Sequence, residues 1–296
     1  MAQKGADAHD IKAPGIAARI AAHGAELVSL RSPRGHEYLW QAGPEWPRHA
    51  PVLFPIVGRL RDDRLRWRGR DYRMTQHGFA RDRQFAWVER RPHSCELALA
   101  DDAQTRALYP FAFRFEVGYA VADATLSVTF TVVNTGDDIL PVSIGAHPGF
   151  AWPLRAGLPK EAHVLEFEHD EPAPIRRVAG GLLQAETFPT PIEGRVLRLR
   201  EDLFAADAVI LDHPSSTSVR YGVPGGPSLA VAWEGFRDLG LWMVPGAAFL
   251  CIEPWRGHAS PAAFDGEFSD KPGLMLVSPG ERRVAVHRVT IPSDVN

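Results

Sequence analysis

The chain of 296 residues is 45% hydrophobic and carries a formal net charge of −3 at neutral pH. This length is ample for one large core, and all-β sandwiches or barrels of this size can form a single domain. A charge so close to balance gives no reason to expect nucleic acid or an anionic membrane as a partner.

Cysteine content and the N-terminal sequence bear on the compartment. Cys95 and Cys251 are too few for a disulfide framework, and Cys251 lies in an apolar segment. We therefore expect reduced thiols. Residues 1–10 lack the apolar core of a signal peptide, and no later apolar run is long enough to cross a bilayer. The sequence predicts a cytoplasmic protein without a membrane partner, monomeric or homodimeric.

The first third begins with polar, alanine-rich residues 1–12, which predict a flexible N-terminal tail ahead of a single domain over residues 13–296. From residue 16 onward, short apolar or alternating segments are separated by glycine and proline, a pattern typical of β-strands. The strands predicted in this part are 16–20, 26–31, 38–41, 64–67 and 71–74.

The middle of the chain shows the clearest strand pattern. Apolar residues from Leu126 to Val132 alternate with serine and threonine, a period of two that predicts a strand over residues 125–134. Residues 101–109 favour a helix, and it is short. The remaining predicted strands are 85–90, 96–100, 113–121, 140–144, 164–167, 175–178, 196–199, 208–211, 218–221, 229–233, 239–243, 250–253, 275–277 and 283–291. Many short strands without a long helix predict an all-β fold, one large antiparallel β-sandwich.

Two segments place a titratable residue directly before a proline. In residues 249–257, Glu253 follows alternating apolar residues, and Pro254 is expected to end the strand because it has no N–H for the ladder. His147 precedes Pro148 in the same way. Either residue alone is more often structural, as a salt-bridged glutamate or a hydrogen-bonded histidine. Together they form a candidate acid/base pair if the fold brings the two strand ends together.

Four further polar positions stand out in apolar or glycine-rich surroundings, namely Arg59, His77, Arg81 and Asp207. For each alone an ordinary role is favoured, as an ion-paired arginine, a loop histidine or a strand-capping aspartate. Their joint occurrence near strand ends indicates a binding site, because such loops carry many ligand-binding side chains. Aromatic residues near these segments would suit the flat faces of a sugar ring, although most are expected in the core: Phe54, Phe79, Phe150, Trp233, Trp242 and Trp255.

Several common site motifs are absent from the sequence. There is no Walker-type phosphate loop, no Gly-x-Gly-x-x-Gly before a helix, no Gly-x-Ser-x-Gly elbow and no cysteine pair with metal-site spacing. The twelve histidines leave a three-histidine metal site open, but neither His77 nor His147 has a nearby His-x-His companion. We predict no metal and no organic cofactor.

Taken in order, five segments resemble the aldose 1-epimerase (galactose mutarotase) family, and most closely its compact bacterial branch. These segments are Gly58-Arg59, His77-Gly78-Phe79-Ala80-Arg81-Asp82, Ile144-Gly145-Ala146-His147-Pro148, Asp207-Ala208-Val209-Ile210-Leu211 and Cys251-Ile252-Glu253-Pro254-Trp255. The resemblance runs from about residue 15 to the C-terminus. It implies a large, mostly antiparallel β-sandwich with the active site in a concave cleft.

The resemblance also implies roles for the candidate residues. His147 would be the general acid and Glu253 the general base. The substrate-holding candidates are Arg59, His77, Arg81 and Asp207. One departure is that Pro-Gly-Phe follows His147, where galactose-acting members usually have a Thr-Tyr-Phe type of sequence. This difference bears on sugar preference more than on the chemistry.

The implied reaction interconverts the α and β anomers of a small-molecule sugar, a free hexose. Glu253, expected to be ionised with an ordinary pKa of about 4.3, would take the C1 hydroxyl proton while His147 protonates the ring oxygen. The opened ring would rotate about C1–C2 and close on the other face. Two alternatives stay open. One is 1-epimerisation of a hexose 6-phosphate, with Arg59 and Arg81 receiving the phosphate, and the other is a carbohydrate-binding protein without turnover.

Overall fold

The computed structural model describes residues 7–292, and nearly all of its regular structure is β. The strands are β1 (Ala8–Ala13), β2 (Ile16–Ala21), β3 (Glu26–Arg31), β4 (Val52–Leu53), β5 (Arg64–Trp67), β6 (Arg70–Arg73), β7 (Ala86–Arg90), β8 (Ser94–Ala100), β9 (Phe113–Ala122), β10 (Thr125–Asn134), β11 (Leu140–Val142), β12 (Ile144–Ala146), β13 (Gly149–Ala151), β14 (Val164–Phe167), β15 (Val178–Ala179), β16 (Leu182–Leu183), β17 (Val196–Arg198), β18 (Val209–Asp212), β19 (Ser218–Gly222), β20 (Ser228–Glu234), β21 (Asp238–Trp242), β22 (Phe249–Arg256), β23 (Met275–Val277) and β24 (Arg282–Thr290). The helical elements are α1 (Ala103–Arg106) and the 3₁₀ turns Arg61–Asp63, Ala80–Asp82, Lys160–Ala162, Glu201–Phe204 and Phe268–Asp270.

Two antiparallel sheets form the body of the domain. The larger has nine strands in the order β17-β14-β19-β20-β24-β10-β9-β8-β7, and the smaller runs β18-β21-β22-β12-β4 with β13 also paired to β22. Smaller pairings join β1-β2-β3, β5-β6, β11-β23 and β15-β16. The predicted all-β, antiparallel, single-domain architecture is confirmed.

The core lies between the two main sheets, and alternation along the strands produces it. On β10 the residues at every second position are buried, beginning with Leu126, while the positions between them are half-buried. Phe54, which follows β4 of the smaller sheet, stacks at 4.4 Å on Phe115 of the larger one. One continuous cluster of buried apolar side chains therefore joins both layers.

Three predictions about element bounds are corrected. Residues 8–12, assigned to a flexible tail, belong to β1, which pairs along its whole length with β2 and buries Ile11. Residues 1–6 of that predicted tail lie outside the described part of the chain. No strand forms over 38–41, where Leu39 makes an isolated bridge to Phe150. Finally, β22 does not end before Pro254 but continues to Arg256, because the residues after the proline pair again with β12 and β21.

No helix within residues 7–292 has the length and apolarity to cross a membrane. Both cysteines are buried free thiols.

His287 on β24 is a core histidine that generates a stability prediction. Its ring is 3% exposed and stacks on Phe130, and Nδ1 finds no hydrogen-bond partner among the described residues. Burial lowers its pKa to about 4. The unfolded chain therefore binds a proton below about pH 6.5 that the folded chain does not, so stability falls as the pH drops from 6.5 toward 4.

We expect His287→Leu to remove this acid sensitivity, worth up to about 3 kcal/mol near pH 4. The measurement is denaturant unfolding between pH 4 and 7 for both proteins. His169→Gln, which changes an exposed histidine, is the control and should follow the wild type. An equal loss of stability in His287→Leu and the wild type would contradict the prediction.

Candidate active site

The two pre-proline residues face each other across neighbouring strands. β13 pairs Gly149 with Cys251, and β12 pairs with the same strand β22 in the same register. Continuing this register through the residues between β12 and β13 places His147 opposite Glu253. The structure agrees, because Nε2 of His147 lies 3.2 Å from Oε2 of Glu253. Strand pairing, rather than a loop, brings the predicted acid and base together.

Glu253 is 1% exposed, and its Oε2 has no hydrogen-bond partner within residues 7–292. Burial raises the pKa of this carboxyl group well above its ordinary value, the Asp207 carboxylate raises it further, and the Trp255 indole opposes the shift. The expectation of an ordinary pKa for Glu253 is therefore wrong. The pKa of Glu253 is raised because desolvation penalises the charged form of the carboxyl group.

His147 is equally enclosed, at 7% exposure. Burial lowers its pKa to about 3, and the positive charges of Arg81 and Arg48 lower it further. The imidazole is thus neutral at neutral pH. The carboxyl and the imidazole lie close enough to exchange a proton, and burial favours the neutral form of each.

His77 lies beside His147, with ring centroids 5.5 Å apart in an edge-to-face arrangement. The Gly58 N–H donates to Nδ1 of His77 over 3.1 Å, so the neutral ring carries its proton on Nε2. Its backbone has a φ of 65°, an unusual left-handed conformation for histidine. Gly78 follows with a φ of 72°, and a Cβ there would collide with the carbonyl of Phe54. The glycine is required for His77 to take this position.

These groups open into a cleft with a volume of about 360 Å³, within the range of small-molecule pockets. The residues that line the cleft are Trp46, Gly58, Gln76, His77, Arg81, His147, Val178, Gly181, Asp207, Ala208, Ile210, Trp242, Glu253, Trp255 and Ala259.

Arg81 and Asp207 both line the cleft, as predicted, whereas Arg59 does not. Nη2 of Arg81 donates to the carbonyl of Gln76 over 2.7 Å, and its buried Nε has no hydrogen-bond partner in the described structure. Burial lowers the pKa of Arg81 to about 10, so it stays charged at neutral pH. Arg59 instead forms a two-pronged ion pair with Asp63, through contacts of 2.6 and 3.0 Å.

The profile of the aldose 1-epimerase family matches residues 7–275. The chain belongs to the aldose 1-epimerase family. Protein LacX (chromosomal) of Lactococcus lactis subsp. lactis is 32% identical over 280 residues, 90% of this chain and 94% of the relative. The X-ray structure of a galactose mutarotase related enzyme from Lactobacillus acidophilus has a TM-score of 0.89 at 32% identity and covers 98% of both chains. A galactose mutarotase-like protein from Lactobacillus casei ATCC 334 also gives 0.89, at 29% identity, over 96% of this chain and 99% of that one.

The aromatic residues of this family member divide into core and cleft. Phe54, Phe79, Phe150 and Trp233 are buried in the apolar core. Trp242 and Trp255 line the cleft, and so does Trp46, which the sequence interpretation missed. The available signal was the proline- and tryptophan-rich loop 42–51. It became informative only with the structure, because nothing local shows which loop tryptophan turns inward.

One cluster in this family member has metal-binding residue types. His147, Cys251 and Glu253 each present a ligand atom, and these atoms lie within 4.8 Å of one another. Burial raises the pKa of the Cys251 thiol well above its ordinary value. Metal binding uses the thiolate, so this thiol is poorly prepared as a ligand. The cluster suits proton transfer between His147 and Glu253 better than metal coordination.

Proposed function

We propose that the chain is a mutarotase that interconverts the α and β anomers of a free hexose. The observation that carries the proposal is the pairing of His147 and Glu253, which are both buried and lie 3.2 Å apart on the wall of the cleft. A hemiacetal has two oxygens on a single carbon. An acid and a base a few ångströms apart are therefore suited to act on both oxygens at once.

The reacting form differs from the resting form only in where the shared proton lies. In the resting site the proton is on Glu253, because neither buried group has solvent to support a charge. Binding of a sugar gives Glu253 a hydroxyl donor at C1 and gives His147 an acceptor at the ring oxygen. These contacts favour transfer of the proton from Glu253 to His147, which yields a carboxylate base and an imidazolium acid.

Ring opening then follows with balanced proton transfers. Glu253 takes the proton of the C1 hydroxyl, His147 gives its proton to the ring oxygen, and the bond between C1 and the ring oxygen breaks. The product is an open-chain aldehyde with a hydroxyl at the former ring oxygen. After rotation about C1–C2, that hydroxyl attacks the other face of the carbonyl, returning its proton to His147, while Glu253 protonates the carbonyl oxygen.

The remaining polar groups of the cleft would hold the rest of the sugar. His77 lines the cleft with its Nε2 3.3 Å from the Gln76 side-chain amide, Arg81 contributes a fixed cation, and Asp207 lies exposed at the rim. The Asp207 side chain already accepts from the Ala208 N–H over 2.7 Å, which fixes its orientation. Hydroxyl groups held in this way keep the sugar in place while only the aldehyde end rotates.

A hexose 6-phosphate is the second candidate substrate, and Arg81 is the observation that favours it. Arg81 lines the cleft and stays charged, and guanidinium geometry matches phosphate oxygens. Arg59 no longer supports this candidate, because Asp63 occupies its guanidinium.

The first prediction concerns the acid and the base. Glu253→Gln and His147→Asn each remove one proton carrier, so we expect the enzymatic rate to fall about 10²- to 10⁴-fold. Polarimetry on freshly dissolved α-glucose or α-galactose, corrected for spontaneous mutarotation, measures it. Glu171→Gln and His163→Asn are matched controls, since both residues are buried but do not line the cleft. Wild-type rates in either folded site variant would refute the assigned roles, and a wild type that binds sugar without turnover would indicate a binding protein.

The second prediction concerns pH. The pair works with one proton, so activity is lost on the acid side when His147 and Glu253 are both protonated, and on the alkaline side when neither is. Because His147 has a pKa of about 3, kcat/KM should not decrease from about pH 6.5 to 5, where an ordinary histidine titrates. The alkaline limb should lie well above the usual glutamate pKa. An acid limb centred near pH 6.5, with circular dichroism showing an intact fold, would contradict this.

The third prediction separates the two substrates. Arg81→Ala should raise KM for glucose 6-phosphate about tenfold or more relative to its effect on glucose if Arg81 receives the phosphate. Equal effects on both sugars would eliminate this role. Arg59→Ala is the matched arginine control, and its effect should not distinguish glucose from its phosphate.

A further inference from the structure

The imidazole of His147 lacks the hydrogen bond that usually orients a functional histidine. Such a ring is commonly held by a partner on the nitrogen that does not react. Nε2 of His147 faces Glu253, and the buried Nδ1 has no hydrogen-bond partner in the part of the chain that the structure describes. The contact with Glu253 holds the ring at one nitrogen only, so packing against its faces must fix the rest of its orientation.

Stacking on Trp46 is a further contact that can orient the His147 ring. The ring of Trp46 stacks on the His147 imidazole with centroids 5.1 Å apart and an interplanar angle of 29°. It also stacks on Phe249, at 5.1 Å and 25°. His77 and Trp242 meet the imidazole through edge-to-face contacts. Trp46 is thus the one stacked neighbour among the described aromatic contacts of His147.

The backbone around Trp46 is itself held in place. The Trp40 indole N–H donates to the Trp46 carbonyl over 2.8 Å. A few residues on, the buried carboxylate of Glu26 accepts the N–H groups of His49 and Ala50. The Gly149 N–H donates to the carbonyl of His49 over 2.9 Å. These bonds anchor loop 42–51 against β3 and β13, so the indole position is built into the fold.

Gly149, two residues after His147, makes room for the indole. A Cβ at this position would lie 2.8 Å from Cζ3 of Trp46, closer than side-chain carbons normally approach. The absence of a side chain at 149 and the presence of Trp46 are therefore two parts of one arrangement. This also gives the Pro-Gly-Phe sequence after His147 a physical meaning.

We propose that Trp46 is a positioning residue for His147, which fixes the plane of the imidazole and shields its face from water. The inference rests on the proposed mutarotase function, in which His147 protonates the ring oxygen. Trp46 acts through His147 and carries no proton itself. The charged and titratable groups that face the imidazole are Glu253, Cys251, His77, Arg81 and Arg48.

The test uses Trp46→Ala, Trp46→Phe and Gly149→Ala in the full chain, with glucose and galactose as substrates. Trp46→Ala frees the imidazole and admits water, and Gly149→Ala displaces the indole with a single methyl group. Both should lower kcat about 10- to 100-fold with a smaller change in KM. Both should also move the acid limb of the pH profile upward by about one unit or more, since desolvation is relieved. Trp46→Phe should rescue most of the activity, because it keeps a flat ring in place.

Trp87→Ala is the control for the loss of an indole, because Trp87 lies on β7 and does not line the cleft. Folded Trp46→Ala or Gly149→Ala with wild-type kcat and an unmoved acid limb would overturn the inference. If Trp46→Ala fails to fold, Gly149→Ala and Trp46→Phe still decide it, since only a positioning role predicts loss in the first and retention in the second.

A second readout separates this inference from the proposed function. NMR titration of the His147 imidazole, assigned by its absence in His147→Asn, reports its pKa without any turnover. A higher pKa in Gly149→Ala than in the wild type supports shielding by Trp46 even if the wild type shows no mutarotation, which would refute the function alone. An unchanged titration in an active enzyme would refute the role of Trp46 alone.

Discussion

The antiparallel register between β22 and the β12–β13 segment is the constraint on which the site depends. It places His147 opposite Glu253, and a slip of one residue would send one of the two side chains to the other face of the sheet. Each residue is followed by a proline, which lacks the N–H that would otherwise require a ladder partner at the next position. Packing on both faces holds this register, because β22 is buried from Phe249 to Trp255. Hydrophobic packing therefore sets the distance between the proposed acid and base.

Burial gives the pair its electrostatic character. Isolated in an apolar wall, a carboxylate and an imidazolium would both be costly, and one proton shared as a neutral pair avoids that cost. Apart from Nε2 of His147, 3.2 Å away, Oε2 of Glu253 has no hydrogen-bond partner within the described residues, so the carboxyl group keeps unused hydrogen-bonding capacity. Hydroxyl groups of a sugar match that capacity. In the proposed mechanism, a bound sugar would supply the polar contacts that make the reacting form accessible.

The sequence pattern predicted the features of the fold that depend on local alternation of apolar and polar residues. The period of two over residues 125–134 matches β10 at both ends, and the pre-proline positions singled out His147 and Glu253. The shared motifs also identified Arg81 and Asp207 as residues of the cleft. The site features that the sequence did not predict depend on tertiary contacts. The raised pKa of Glu253 follows from its burial. Arg59 pairs with Asp63 because of the turn that follows Leu60. Contacts with Trp40 and Gly149 determine the inward position of Trp46.

The residues of the cleft come from two kinds of structural element, paired strands and connecting segments. The proposed chemistry rests on paired strands, while His77, Arg81, Asp207 and Trp46 come from connecting segments outside those strands. Because the strands tolerate little change and the connections tolerate much more, the molecule separates reactivity from recognition. Under the proposed function, grafting the connections of a relative onto this framework would redirect the choice of sugar and leave the proposed acid/base pair undisturbed. In evolutionary terms, a single β-ladder can serve a whole series of sugars.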